Sequence, residues 1–594
     1  MTLLKLISMC ALLLPGCWCG AETWYVRLDG GDRSQCTGQA DAAYPGTGTS
    51  QACAFRHPYF LFVADRQYGE KPRWLIVGGD TVIIKNGQYR IGYKGPEERD
   101  YWQFCPGDPF ACGMPSIPSG VPGRHTRLLG EDYQHCTNKP VLFGGYGAHY
   151  VISLVGSSYV DVECLEITDH GSCAHAGMVN GCRTNYPLSD YASNGIVTSL
   201  TTHDILLQDL NIHGLAQNGI LGSVGDSVTA KGVRIAGNSS AGWNFDDGKS
   251  TASRGSIILM DVTVEWNGCS EEYPIVHSLP YDNCSDDNSA GYGDGIGTPD
   301  SAGWNWTIDH SVFRYNTQDG LDLLHLHGAN SSVMITNSRF SGNMGNQVKL
   351  GAVRSSVFRN NIVIGNCRYL SLPHPQLPAR YNRNLSDFCR AGGNAFLKQM
   401  QNGERDLIQN NSFAGMNGAP LYLDDCASGR GACPTAAVRF DNNLIIGFPD
   451  YSRQNSVYVP ALDSAEPTNY FSQENGSRRN NLMFQTRSAN PIACGGAGST
   501  GEVCNGDPKL IAETDIDTLD FHLGPGSPAR AAGIAIPDIE TDIAGIPRRS
   551  REYDVGAYAY TGQVERSAVR KSEKRSGAQS PATSQAVGRK KEKR

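Results

Sequence analysis

The chain has 594 residues, 69 of them glycine, with 40% apolar and only 19% charged residues and a formal net charge of −8. Sparse charge and abundant glycine argue against a helical or coiled-coil protein and fit an all-β protein with many turns. Ten Lys/Arg against three Glu in 563–594 leave the rest of the chain strongly acidic, which argues against broad nucleic-acid binding.

Residues 1–19 read as a signal peptide: Lys5, an apolar run through Leu14, then Pro15-Gly16 and small residues. The run is too short to span a bilayer, so the expected location is secreted, periplasmic or cell envelope. LLPGC (13–17) also reads as a lipoprotein signal with Cys17 as the lipidated residue; cleavage after Cys19 is preferred, because it leaves an even 16 cysteines. Several of these fall in close pairs: Cys36/Cys53, Cys105/Cys112, Cys173/Cys182, Cys269/Cys284, Cys367/Cys389, Cys426/Cys433 and Cys494/Cys504. This pattern favours disulfides formed in an oxidising compartment, although sequence alone does not prove the pairing. Residues 20–73 are read as a disulfide-rich N-terminal cap, 74–562 as one solenoid with a C-terminal closing segment, and 563–594 as a basic disordered tail or a tether to anionic envelope polymers.

The middle of the chain is repetitive. VDVECLEITDH (160–170), ILLQDLNIHG (205–214), VTAKGVRIAGN (228–238), ILMDVTVEWNG (258–268), WTIDHSVFRYN (306–316), VMITNSRFSGN (333–343) and SVFRNNIVIGN (356–366) alternate apolar and polar residues at period two. Asn238, Asn267, Asn316, Asn343 and Asn366 close five of them at separations of 29, 49, 27 and 23 residues, the long step containing the Cys269/Cys284 segment. A period in the twenties built from strands predicts a β-solenoid. These repeats resemble the pectate-lyase-like superfold, the right-handed parallel β-helix. GGDTVIIKNGQYRIG (78–92) resembles an opening coil of such proteins, and DFHLGPGSPARAAG (520–533) with DVGAYAY (554–560) resembles a C-terminal end of bacterial members.

In a solenoid, equivalent residues stack at about 4.8 Å. Aligning SNGIV (193–197), QNGIL (217–221), DDGKS (246–250), GDGIG (293–297), QDGLD (318–322) and GNQVK (345–349) gives one column: Asn194, Asn218, Asp247, Asp294, Asp319, Asn346. Three residues on, Asp322 is followed by Lys349. Stacked amides satisfy one another, but two carboxylates about 5 Å apart repel by roughly 3 kcal/mol at an effective dielectric of 20. Protons or a cation must offset that. Asp294, Asp319 and Asp322, with Asp247 or Gln318 nearby, form an all-oxygen set of the kind that suits Ca²⁺. The plain alternative is an Asp322–Lys349 salt bridge across coils, with Asp-Gly serving as turn chemistry.

This stretch resembles family 9 polysaccharide lyases through Asp294-Gly295, Gln318-Asp319-Gly320-Leu321-Asp322 and Asn346-Gln347-Val348-Lys349-Leu350-Gly351. The resemblance implies a calcium-dependent lyase acting on a pectate-like, uronate-containing polysaccharide, with Asp294, Asp319 and Asp322 as metal ligands and Lys349 as the base. Gln318 stands where the family has an acid, and Gln347 where it has Gly. Arg314 and Arg354, on adjacent coils, are candidates for holding substrate carboxylates. Two other readings stay open: a β-helix glycoside hydrolase using Asp246-Asp247 and Asp294, and a non-catalytic envelope or adhesin solenoid. His325 and His327 would face one side of a strand and read as a surface pair, since no third metal ligand is spaced to join them. The chain is expected to act as a monomer on an acidic polysaccharide, without nucleic acid.

Overall fold

The computed structural model describes residues 20–63, 73–92, 113–173, 190–245, 255–282, 284, 293–297, 301–367, 369–370, 393–415, 419–426, 433–448, 463–464, 470–485, 494–496, 498–512 and 516–562. The expected signal peptide with Cys17, the basic tail, Asp246, Asp247, Cys105, Cys112, Cys182 and Cys389 lie outside them.

Three parallel sheets of 15, 13 and 10 strands, here sheets 1, 2 and 3, wind around one core as a parallel β-helix. Period-two alternation creates each wall. In Trp304–Asp309, Trp304, Trp306 and Ile308 are buried while the intervening residues are not. The strand register then stacks like on like: Ile167, Ile212, Ile235, Val264, Phe313 and Phe340 form one continuous inner row of sheet 2. Phe313 lies 5.1 Å from Phe340, and Phe358 lies 4.5 Å from Phe396, both stacked. Such pairs contribute about 0.5–1.5 kcal/mol beyond the burial of their area. The first strand of sheet 1, Thr23–Gly31, pairs with Thr81–Ile84. Residues expected to act only as a cap therefore also contribute a coil edge.

A single residue with positive φ turns each chain from sheet 1 to sheet 2, and it is Asp209, Asp261, Asn337, Asn360, Asn410, Asn442 and Asn480 on seven coils. Asn and Asp tolerate this left-handed conformation because their short polar side chains bond locally. On the last coils they do more. Asn360, Asn410, Asn442 and Asn480 donate through Nδ2 to the carbonyls of Thr541, Asp554, Ile534 and Ala532. The closing segment is thus strapped along four successive corners.

The expected Asn column between sheets 2 and 3 forms a buried amide ladder. Asn238 donates to Asn267 at 2.9 Å, Asn267 to Asn316 at 2.9 Å, and Asn316 to Asn343 at 2.8 Å. It does not continue to Asn366. Gln347 Oε1 accepts from Asn343 Nδ2 at 2.9 Å, and Gln347 Nε2 returns a bond to Asn343 O at 2.9 Å. Gln347 terminates the ladder, a physical reason for its presence where the resemblance leads one to expect Gly.

Disulfides join Cys36–Cys53, Cys269–Cys284, Cys426–Cys433 and Cys494–Cys504 as the close spacing suggested, and Cys173 and Cys367 are also disulfide-bonded. Cys136–Cys164, 28 residues apart, was not among the close pairs. This usage belongs to a protein that folds in an oxidising compartment. No helix among the described residues is long and apolar enough to cross a membrane.

Asn316 accepts from both the backbone N–H and the side chain of Asn267. Asn316→Ala leaves those buried donors unmet, and we expect a loss of about 2–3 kcal/mol, measured by denaturant unfolding. A loss below roughly 0.5 kcal/mol would mean the ladder contributes little.

Candidate functional site

The strand starts of sheet 3 carry a second ladder with its own rule: each side-chain oxygen accepts the backbone N–H of the residue one coil on. Asn218 Oδ1 accepts from Ala241 at 3.2 Å, Asn346 Oδ1 from Asn394 at 2.9 Å, and Asn394 Oδ1 from Ala419 at 2.9 Å. The acids obey the same rule. Asp294 Oδ1 accepts from the N–H of Asp319 at 2.9 Å, and Asp319 Oδ1 from that of Asn346 at 2.6 Å. Only an acceptor is required, so Asp substitutes for Asn without breaking the ladder, and its Oδ2 is left over for other chemistry.

The register Ile220, Trp243, Ile296, Leu321, Val348, Phe396 fixes the column as Asn218, Ala241, Asp294, Asp319, Asn346, Asn394. Ala241 fills the place that the sequence alignment gave to Asp247. Gly297, Asp322 and Lys349 are in register one row away. Lys349 Nζ donates to Asp319 Oδ2 at 2.5 Å and to Asp322 Oδ2 at 3.0 Å, while Asp322 Oδ1 accepts from the Leu324 N–H at 2.9 Å. Gln318 lies buried beside Asp319.

Burial pushes the Asp294 carboxyl well above the usual carboxylate range, and the charges of Asp319 and Asp322 add to the effect. Burial also raises Asp319, against the opposing pull of Lys349. For Lys349, burial favours the neutral amine, but Asp319 and Asp322 outweigh it and hold the ammonium protonated beyond its ordinary range. The cluster is a lysine clamped by two acids, with a third acid behind it.

The oxygen set has the hardness a calcium site needs. A side chain at Gly297 would begin 3.2 Å from Asp294 Oδ2, so the glycine keeps the approach to that oxygen open. Asp294, Asp319 and Asp322 do not each bring an oxygen within 4.8 Å of the others; Lys349 is shared by Asp319 and Asp322.

Neither candidate arginine joins the cluster. Arg314 lies in sheet 2, where its Nε donates to Glu265 at 2.7 Å, and Arg234 holds the other oxygen of Glu265 at 2.9 Å. Arg354 is exposed on the sheet 1 strand Val353–Arg359. His325 and His327 are exposed on either side of buried Leu326 and join no group of potential metal ligands among the described residues. Cys494, Glu502 and Cys504 do gather, but the two sulfurs form a disulfide and Glu502 pairs with buried Arg478.

A different constellation was missed in the sequence. On the outer face of sheet 2, a cavity of about 170 Å³ opens beside the Cys269–Cys284 loop. His213 sits in its wall and donates from Nδ1 to Glu271 at 2.9 Å and from Nε2 to Glu166 at 3.3 Å. Burial alone would lower its pKa, but the two carboxylates push it up to about 10. The clue lay in ITDH (167–170) and NIHG (211–214), polar endings on strands that were read only as repeats.

Asp294 raises a stability test. Its folded pKa lies above its unfolded value, so its contribution is best at low pH and is lost as pH rises above the ordinary carboxylate range. Asp294→Asn keeps the acceptor and removes the charge. With chelator present, we expect the variant to match the parent near pH 4 and to exceed its stability by on the order of 1–2 kcal/mol near pH 8, by thermal and denaturant unfolding. A variant equally destabilised at both pH values would contradict this electrostatic account.

No protein-family model and no curated protein matches the sequence. Solved structures similar to this chain include pectate lyase Pel9A, 13% identical over 82% of this chain and 89% of that one, with a TM-score of 0.33. An alginate lyase from Paenibacillus sp. str. FPU-7 is 11% identical over 69% and 93%, with a TM-score of 0.28. PfbA, a surface adhesin of Streptococcus pneumoniae, is 11% identical over 65% and 92%, with a TM-score of 0.31. The chemistry of this chain belongs to its own site.

Proposed function

We propose that the chain is an exported polysaccharide lyase that cleaves a uronate-containing, pectate-like polymer by calcium-assisted β-elimination, with Lys349 as the base. The supporting observation is the placement of Lys349, in register with Asp322 and against Asp319, with Asp294 one coil beyond Asp319. Asp294, Asp319 and Asp322, with Gln318, would hold calcium. Bound there, the ion neutralises the substrate carboxylate next to the carbon that loses its proton.

Lys349 must be neutral to act as a base. Asp319 and Asp322 keep it charged as long as it is their counter-ion, so the acids restrain the base until another cation occupies them. Released from that pairing but still largely buried, the amine has burial as the dominant influence, which lowers its pKa. It then takes the proton at C5 of the uronate.

The second reading is a structural solenoid in which Lys349 is a permanent counter-ion. It is favoured by the ladder rule, which Asp294 and Asp319 satisfy as Asn would. Lys349→Arg separates the two readings, because Arg keeps the positive charge but does not give up its proton near neutral pH. The assay is appearance of ultraviolet-absorbing unsaturated products from pectate, alginate and glycosaminoglycans, with and without chelator. We expect calcium-dependent turnover by the parent, rising towards alkaline pH, and a loss of at least about 10²-fold in the variant with folding intact. An active parent with a variant near the same rate removes Lys349 from the reaction. No unsaturated product from any uronate polymer favours the structural reading.

A further inference from the structure

The cavity beside the Cys269–Cys284 loop differs from the Lys349 cluster in place and in charge. Glu166, Asp169, His213, Glu271 and Glu272 line it, and among the described residues no Lys or Arg does. Both nitrogens of His213 are already committed to Glu166 and Glu271, so its positive charge is used within the wall. Asp169 spends both oxygens on backbone N–H groups, those of Gly171 and Ala192. Glu166 keeps its side chain about one-third exposed, and its Oε1 faces His213 while the rest of the carboxylate borders the opening. Two further glutamates stand in the wall, Glu271 against His213 and Glu272 against His277, while Lys139 acts on Glu166 from outside the lining. The nearby Arg90 guanidinium is bound by Asp190 through two nitrogens, at 2.8 and 2.5 Å. A uronate would meet the Glu166 and Glu271 carboxylates here with no Lys or Arg in the lining among the described residues.

The rim is aromatic. Phe143, His170 and Tyr273 form a continuous stack, with ring centroids 3.7 and 4.3 Å apart. Tyr273, at the end of the stack, is 46% exposed and Ile275 beside it is 53% exposed. The loop that carries them is held in place from both sides. Cys269–Cys284 closes its base, and buried Tyr281 stacks on Trp266 at 5.0 Å while accepting a hydrogen bond from Arg234. Glu271, at the start of the loop, is tied to sheet 2 by His213. The exposed ring is thus presented by a fixed frame, which limits the ordering cost on binding. A negative, partly dehydrated wall beside an open aromatic face is the combination that attracts organic cations. The volume, about 170 Å³, is below the usual range for drug-sized ligands and fits a single small molecule or one side group of a larger one.

We propose that this cavity binds the ammonium group of a small organic cation, paired with Glu166 and with its carbon frame against Tyr273. Amino sugars and polyamines share that chemistry, and the test distinguishes them. Titration calorimetry on the full chain would use glucosamine and putrescine, with N-acetylglucosamine and glucose as neutral counterparts and galacturonic acid as the anion. The expected result is saturable binding of one or both amines, at least tenfold tighter than the neutral sugars, with no binding of the acid. Glucosamine ahead of putrescine assigns an amino sugar, and the reverse order assigns a polyamine. Tyr273→Ala, at a position 46% exposed, should weaken amine binding about fivefold. Glu166→Gln should weaken it at least tenfold, with circular dichroism confirming that the fold persists. The proposal is overturned if no amine binds at millimolar concentration, if glucose or N-acetylglucosamine binds as tightly as glucosamine, or if both variants bind amines like the parent.

Discussion

One kind of hydrogen bond recurs through the molecule: a side-chain oxygen accepting the backbone N–H of an adjacent coil, the coil behind in the Asn267, Asn316, Asn343 column and the coil ahead in the Asp294, Asp319, Asn346 column. Wherever a coil leaves the sheets, its N–H groups lose the strand partners that would pair them, and buried donors without acceptors are costly. Asn supplies an acceptor to one neighbouring coil and a donor to the other, which is why amide columns run at the corners. The apolar interior follows from this constraint. Once the coils are held in register, each inward row repeats the same kind of residue, and Ile, Val and Phe stack into a core without any long-range search for partners.

The acid column arises from relaxing that rule by one atom. An Asp provides the acceptor but not the donor, so the ladder tolerates it while gaining a spare oxygen and a negative charge. Two such substitutions in succession, at Asp294 and Asp319, with Asp322 beside them, build up a local field that demands a counter-ion. Lys349 answers it from the next strand. The same pairing that stabilises the fold also keeps the lysine charged, so structural integrity and base strength pull in opposite directions at one side chain. A protein that uses such a residue chemically needs a way of exchanging counter-ions, and a hard divalent cation is the simplest available.

Much of this could be read from the sequence, for identifiable reasons. The strands show as period-two alternation, and the coil length shows because Asn238, Asn267, Asn316 and Asn343 must recur to bond one another. The Asp322–Lys349 pairing was readable because Asp319 to Asn346 spans an uninterrupted coil. Where an insertion intervenes, register is lost: Ala241, which offers only a backbone N–H, holds the place that the more conspicuous Asp247 was given. Arg314 stands apart from the cluster for a related reason. Adjacency of coils says nothing about which of three walls a residue occupies, and Arg314 pairs with Glu265 within sheet 2, away from the sheet 3 cluster. His213 was invisible because Glu271, its stronger partner, comes from an insertion 58 residues away.

The strap along Asn360, Asn410, Asn442 and Asn480 has a consequence for how the molecule breathes. Stacked repeats ordinarily feel only their nearest neighbours, so each end frays independently and protection from exchange falls off coil by coil. A single segment bonded to four successive corners links coils that do not touch one another. Opening any one of them strains its bonds to the strap, so this end of the β-helix exchanges as a block, where an unbraced stack would keep local, independent fluctuations.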